Sequence, residues 1–387
     1  MDDFRAGILV EQKMIPPSRD MFKGLAGLLD LDLSKNQLSS LASDVFHGLT
    51  NLNFLNLGRN SIKKLPPTIF HSLTNLSVLM IYNNELEVLE AGIFDELVNL
   101  KVLKLHHNKI TSLPPQVFWS LRNLTILYLS SNRLQAIPEK SFYNLPKMSK
   151  LTIFNNPLLS LPDQLMGHMP DMRDFYLIYT SLTTVPGNLF ANMSGLQILN
   201  FHLNDKLREL PSDLFSKNKL SAVSADWFSN LNKLQVLRLY ENQLTTIPEE
   251  IFQNLPNLKE IGLQKNKISE LSPNLFPHKD KLNRLYLESN CLTGLPHGFF
   301  NELTSLPPVL FGEMPKLTDL SLSQNNLSTL PKGIFSPLKK LKKLDLSKNQ
   351  FVTLYPEYFE GPEMLTELNL LNNKIKSLDE DVFEKLH

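Results

Sequence analysis

The 387-residue chain has one cysteine, Cys291, so no internal disulfide can form and no thiolate cage can hold a metal. It has no surplus of either charge: Lys+Arg and Asp+Glu stand at 39 each. A nucleic-acid binder needs excess cations to displace counterions, and a polybasic membrane surface needs the same, so the balance argues against both. No apolar run approaches the ~18 residues of a spanning helix. The start, Met1-Asp2-Asp3-Phe4-Arg5, is acidic, and Ile8-Leu9-Val10 is too short for the apolar heart of an export signal. There is no H-E-x-x-H, no G-x-S-x-G and no phosphate-cradling glycine loop. The expectation is a chain that is not an enzyme and uses no cofactor and no metal.

What is present is a register. Asn36, Asn60, Asn84, Asn108, Asn132 and Asn156 follow one another at twenty-four residues. Self-similarity at a fixed period marks a repeat architecture, in which stacked units share one elongated core. One coil reads Leu100, Leu103, Leu105, Asn108, Ile110, Leu113, Pro114, Phe118, Leu121. The x-L-x-L-x portion alternates with period two, so it predicts a short strand with leucines inward and the intervening residues outward. The amide of the following Asn can donate and accept at once, satisfying backbone groups left open between neighbouring coils. Later leucines and the phenylalanine fill the interior from the far side, and proline suits an extended return rather than a regular helix.

This pattern resembles the leucine-rich repeat family, in its twenty-four-residue class characteristic of extracellular and cell-surface proteins. The resemblance covers essentially the whole chain. It implies an α/β-type solenoid: a horseshoe with a parallel concave β-sheet and an irregular or short-helical convex side. Residues 1–387 are expected to form a single solenoid. Residues 1–22 form a degenerate first coil in which Gln12 takes the Asn place, Met14 the leucine after it and Phe22 the aromatic one. Coils worded like Leu113-Pro114-Pro115-Gln116-Val117-Phe118 and Leu330-Pro331-Lys332-Gly333-Ile334-Phe335 look like the vertebrate plasma group of the family. That group includes the carboxypeptidase N regulatory subunit, platelet glycoprotein V and the phospholipase inhibitors of snake plasma.

The register also shows departures. Met166 replaces Phe, Thr180 replaces Asn and should loosen its coil, and one extra residue precedes Leu207. Asn218 then follows Asn204, and Asn301 follows Asn290, at far less than a full period. Phe215 and Phe300 stand almost against the next Asn, so both losses fall on the strand-bearing segment. Either Leu210-Pro211-Ser212-Asp213-Leu214-Phe215 is reused as a poor strand, or the coding sequence is mis-assembled. The second is favoured, because a missing rung strands its neighbours' backbone groups. The sheet is expected to be weakest near 204–230 and 291–316. Family members carry cysteine-rich caps, absent here, so the chain reads as a fragment.

Few residues suggest chemistry. His106 and His107 are adjacent, but alternation along a strand would send them to opposite faces. Glu249-Glu250 and Asp379-Glu380-Asp381 fall where the convex side should be and read as solvated surface. Cys291, directly after a register Asn, reads as a small structural substitution. The sequons at Asn75, Asn123, Asn192 and Asn326 are glycosylation candidates, at no more than chance frequency.

The candidate binding surface is the concave face, at outward positions four and two before each register Asn. From it the reading selects Met80, Tyr82, Lys104, His106, Tyr128, Phe154, Tyr176, Ile178, Tyr240 and Tyr286 as partner-binding residues. Exposed aromatics on a rigid sheet anchor protein interfaces, although strand propensity alone also enriches them. The functional expectation is an extracellular protein-binding scaffold, secreted or at the cell surface, with its export signal missing from this chain and no membrane span in it. Such a scaffold could be a regulatory or carrier subunit for a plasma enzyme. The alternatives are a Toll-like or platelet-glycoprotein-like receptor ectodomain and a cytosolic adaptor.

Overall fold

The computed structural model describes residues 7–9, 21–208, 210–211, 214, 234–252, 255–276, 279–296, 310–311 and 314–386. Gln12, Met14, Phe215, Asn218, Phe300, Asn301 and the side chains of Glu249 and Glu250 lie outside the described residues. Two compact units are present: residues 1–182 with 192–196, and residues 183–191 with 197–387.

The first unit carries β1 (Gly7–Leu9), β2 (Asp30–Asp32), β3 (Phe54–Asn56), β4 (Val78–Met80), β5 (Val102–Lys104), β6 (Ile126–Tyr128), β7 (Lys150–Thr152) and β8 (Asp174–Tyr176). The second carries β9 (Ile198–Asn200), β10 (Val236–Arg238), β11 (Glu260–Gly262), β12 (Arg284–Tyr286), β13 (Asp319–Ser321), β14 (Lys343–Asp345) and β15 (Glu367–Asn369). Within each unit successive strands pair in parallel, like residue against like: Leu79 faces Leu103, and Leu320 faces Leu344. Each unit is therefore a solenoid of the expected kind. The returning segments are turns and, in the second unit at Glu249–Phe252 and Pro356–Phe359, short 3-10 helices.

Three ladders hold the coils together. Inward leucines such as Leu55, Leu79, Leu103 and Leu127 are fully buried. A side chain of this size contributes about 2 kcal/mol on burial, repeated at every coil. On the far side phenylalanines stack at the coil repeat, Phe70 on Phe94 at 6.2 Å and Phe94 on Phe118 at 6.2 Å. Met166 keeps the apolar fill where Phe is missing: it is buried and bridges to Phe142.

The register asparagines form the third ladder. Asn108 Nδ2 donates to the carbonyl of Ile81 in the preceding coil (2.9 Å) and to Leu105 in its own (3.0 Å). Its Oδ1 accepts the backbone N–H of Leu86 at 3.1 Å. One buried amide thus satisfies groups in two coils, the role its chemistry predicts. The residue before each of these asparagines sits at positive φ, from Lys35 (58°) through His107 (54°) to Asn372 (56°). That left-handed turn takes the chain out of the sheet. It costs roughly 1 kcal/mol for an L-residue, and the buried amide beside it offsets that.

The expected gaps in the sheet are not there. β9 pairs directly with β10, Leu199 opposite Leu237, and β12 with β13, Leu285 opposite Leu320. The asparagine ladder closes with them: Asn242 reaches the carbonyl of Phe201 across 41 residues and Asn325 that of Leu287 across 38, where the ordinary step is 27. No rung stands between these partners, and neither pairing leaves an unpaired edge at its own junction. The weakness expected near 204–230 and 291–316 presumed that a lost rung must leave a hole. Hydrogen bonding depends on which strands meet in space, so the next strand takes the vacant place.

Candidate functional site

Pleating turns three side chains outward per coil: six, four and two residues before the register asparagine. In the coil of Asn84 these are Val78, Met80 and Tyr82, all half-buried. The sequence reading named the last two places and missed the first, which in β7 holds Lys150. Extending the alternation one step earlier would have found it.

The outward residues of β4 to β8 form a connected group in the first unit. The Tyr82 ring lies over Gly58, where an added Cβ would come within 2.5 Å of it. On its other side it stacks on His106, with centroids 5.1 Å apart and planes 4° apart. His106 in turn meets Tyr128 edge-on at 5.5 Å. Burial, with smaller contributions from His107 and Lys104, pushes the His106 imidazole down to about 4, so it is neutral at physiological pH. Its buried Nδ1 has no hydrogen-bond partner.

Two ammonium groups approach Tyr128 from the flanking strands. Lys104 Nζ lies 5.3 Å from the ring centroid, and Lys150 Nζ lies 5.5 Å from it and 5.5 Å from that of Tyr176. Burial works against the Lys150 charge, but Tyr128, Tyr176 and Asp174 outweigh it and raise its pKa. Phe154 packs against Tyr176 at 6.3 Å, and half-buried Met80 and Ile178 flank the group. Eight of the ten selected residues thus lie on one face of one unit.

Tyr240 and Tyr286 belong to the second unit. Tyr240 stacks on His202 at 4.1 Å, a partner the selection left out. Glu260, Gly262 and Gln264 occupy the outward places of the coil between the two tyrosines. The basic side chains here are paired by neighbouring strands: Arg238 with Glu260 at 3.4 Å, Arg284 with Glu260 at 3.7 Å, and Lys343 with Glu367 at 3.1 Å. Glu288 is half-buried with Oε2 unpartnered, and burial raises its pKa.

The adjacent histidines depart from the strand argument. β5 ends at Lys104 and His107 occupies the left-handed turn, which brings the two rings edge-on at 5.5 Å. Among the described residues no group of three or more His, Cys, Asp or Glu side chains could hold a metal. Cys291 is exposed.

The four sequons lie in different settings. Asn75 and Asn123 belong to a second asparagine ladder with Asn51 and Asn99, donating to the carbonyls of Thr50 and Val98 at 2.9 Å each. Asn123 Oδ1 also accepts the Lys147 ammonium at 2.6 Å. Asn192 is half-buried and Asn326 exposed.

The sequence profile described as leucine rich repeat matches residues 18–62, 50–110, 98–158, 215–268, 256–301, 299–351 and 339–387. No curated protein sequence matches the chain significantly. Among solved structures, a leucine-rich repeat protein of Leptospira interrogans aligns with TM-score 0.71 and 27% identity, over 98% of this chain and 89% of that one. The glycosylated Toll–Spatzle complex of Drosophila aligns with TM-score 0.75 and 25% identity, over 93% of this chain and 46% of that chain. The LRIM1/APL1C complex aligns with TM-score 0.62 and 22% identity, over 97% and 57%, a likeness of fold alone. The chain spans under half the length of the Toll chain it matches.

Proposed function

Starting from a chain that belongs to the leucine rich repeat family, we propose that it is a non-catalytic scaffold that binds another protein through the outward face of β4 to β8. The observation that carries this reading is the row Tyr82, His106, Tyr128 and Tyr176, half-buried, mutually packed and held on short parallel strands. Rigid aromatics lose little conformational entropy on binding, which is why such residues act as interface anchors. In the family that the chain resembles this face is the concave one. The reading includes an extracellular location, supported by the twenty-four-residue coil and by the Toll likeness.

Two finer roles follow from different observations. The wording of coils such as Leu113–Phe118 supports a regulatory or carrier subunit for a plasma enzyme. The alignment with Toll, solved as a complex with Spatzle, supports a receptor ectodomain that captures a protein ligand. Identifying the captured protein by mass spectrometry separates them.

The test uses the immobilised chain to capture proteins from plasma or other extracellular fluid. Tyr128→Ala combined with Tyr176→Ala should abolish capture while leaving thermal unfolding nearly unchanged. Tyr143→Ala, on an exposed ring outside this face, should capture normally. Undiminished capture by the double variant would sink the proposed face.

A further inference from the structure

The outward basic residues of the two units are treated differently. In the second unit Arg238, Arg284 and Lys343 each have a carboxylate from an adjacent strand within 3.7 Å. Lys104 and Lys150 in the first unit have none among the described residues; they rest on the rings of Tyr128 and Tyr176 instead. Asp174, the carboxylate that acts on Lys150, does so only at longer range. His106 beside them is neutral, so the positive charge of the group is that of the two lysines.

An ammonium on a tyrosine face keeps its charge and a fixed position but leaves hydrogen-bonding capacity unused. Two such groups straddle Tyr128 with no carboxylate in salt-bridge range, Asp174 acting on Lys150 only from farther off, and they leave a local positive potential on the first unit's face. We infer that the first unit's face recognises an acidic segment of a partner protein, two of its Asp or Glu side chains reaching Lys104 and Lys150 while its apolar side chains pack between Tyr82 and Tyr176.

This rests on the proposed binding face and names the chemistry of what it binds. A polyanion such as a sulfated polysaccharide fits less well. The chain is neutral overall, and two lysines would release too few counterions to hold a polyelectrolyte. The Tyr128 ring between the lysines and the Phe154 and Tyr176 rings beside them favour apolar side chains, which a polysaccharide lacks.

The experiment selects a random peptide library on the whole chain, in parallel with Lys104→Gln/Lys150→Gln and with Tyr128→Ala. The wild-type chain should enrich peptides carrying paired acidic residues, with affinity that falls as salt is raised. Both variants should bind those peptides about tenfold more weakly or worse. Lys104→Glu/Lys150→Glu should enrich basic peptides instead. Peptides that depend on Tyr128 but carry no acidic residues would overturn the acidic specificity and leave the binding face standing. No enrichment, or enrichment indifferent to Tyr128 and to both lysines, would overturn the two together. Heparin binding more tightly than any selected peptide, and lost in the lysine variant, would assign the site to a polysaccharide and refute the inference.

Discussion

Asn242 donates its side-chain nitrogen to the carbonyl of Phe201 at 3.0 Å, and its Oδ1 accepts the backbone N–H of Asn204 at 2.8 Å. It thereby ties β9 to β10 across a stretch longer than any ordinary coil, with the same donor bond that Asn108 makes to Ile81. If the closure is as tight as the ordinary steps, Asn242→Ala should cost as much as Asn108→Ala. Each change orphans one buried N–H and takes one of two asparagine donors from each of two carbonyls, for about 2 kcal/mol. Hydrogen exchange reads both locally: the Asn204 amide should lose protection in one variant and the Leu86 amide in the other. A much smaller loss at Asn204 would show the closure to be weak.

Thr180 stands where the ladder otherwise places Asn, and it is buried. Its hydroxyl accepts the backbone N–H of Leu182 at 3.4 Å, but with one donor hydrogen it cannot reproduce both bonds that Asn156 makes, to Leu129 at 3.1 Å and to Ile153 at 3.2 Å. Thr180→Asn should restore both bonds and stabilise the coil by about 1 kcal/mol. Slower exchange of neighbouring amides would report it; faster exchange would show that the hydroxyl is the better fit.

Lys279 occupies the place of the closing leucine, three residues after Phe276 as Leu121 is after Phe118. It is buried, with Nζ donating to the carbonyl of Phe252 at 2.5 Å. Burial lowers its pKa from 10.5 to about 8, against a smaller opposing pull from Asp280. Between those values the unfolded chain holds the proton and the folded chain does not, so stability rises with pH from about 8 to 10.5. Lys279→Leu should remove that rise and stabilise the protein by about 2 kcal/mol at neutral pH. Thermal unfolding across the alkaline range checks both statements, and an unchanged slope would contradict the assignment.

His106 supplies a second rise of stability with pH, in the acid range. Its folded pKa is lowered from 6.5 to about 4, chiefly by burial, and that of His202 is lowered too. Below 6.5 the unfolded chain takes up protons that the folded chain refuses. Stability is therefore complete above 6.5 and falls as pH drops toward 4. His106→Gln should flatten part of that fall, measured as the unfolding midpoint against pH. A variant that tracks the parent throughout would place the proton uptake elsewhere.

Much of this was readable from residue order alone. The leucines, the asparagines and the phenylalanines each have one chemical task at one place in the period, so a linear count locates them. What the count missed has a common physical origin. Spacing along the chain does not say which strands meet, and so it predicted holes where β9 meets β10 and β12 meets β13. Alternation presumes a strand, and so it misplaced His107, which lies beyond the end of β5 in a left-handed turn. Lys150 escaped because the outward face begins one alternation earlier than the leucine pair suggests. Lys279 escaped because a pattern of apolar places records which residue is usual and not which is present.

The direct pairing of β9 with β10 and of β12 with β13 bears on how such a gene can change. A stretch of coding sequence that departs from the repeat length is tolerated whenever it begins and ends at equivalent places in the coil, because the next strand arrives in register regardless. Length variation is thereby uncoupled from the integrity of the sheet. Lineages can gain or shed residues between Asn204 and Leu234, or between Cys291 and Leu310, without selection having to repair the scaffold afterwards.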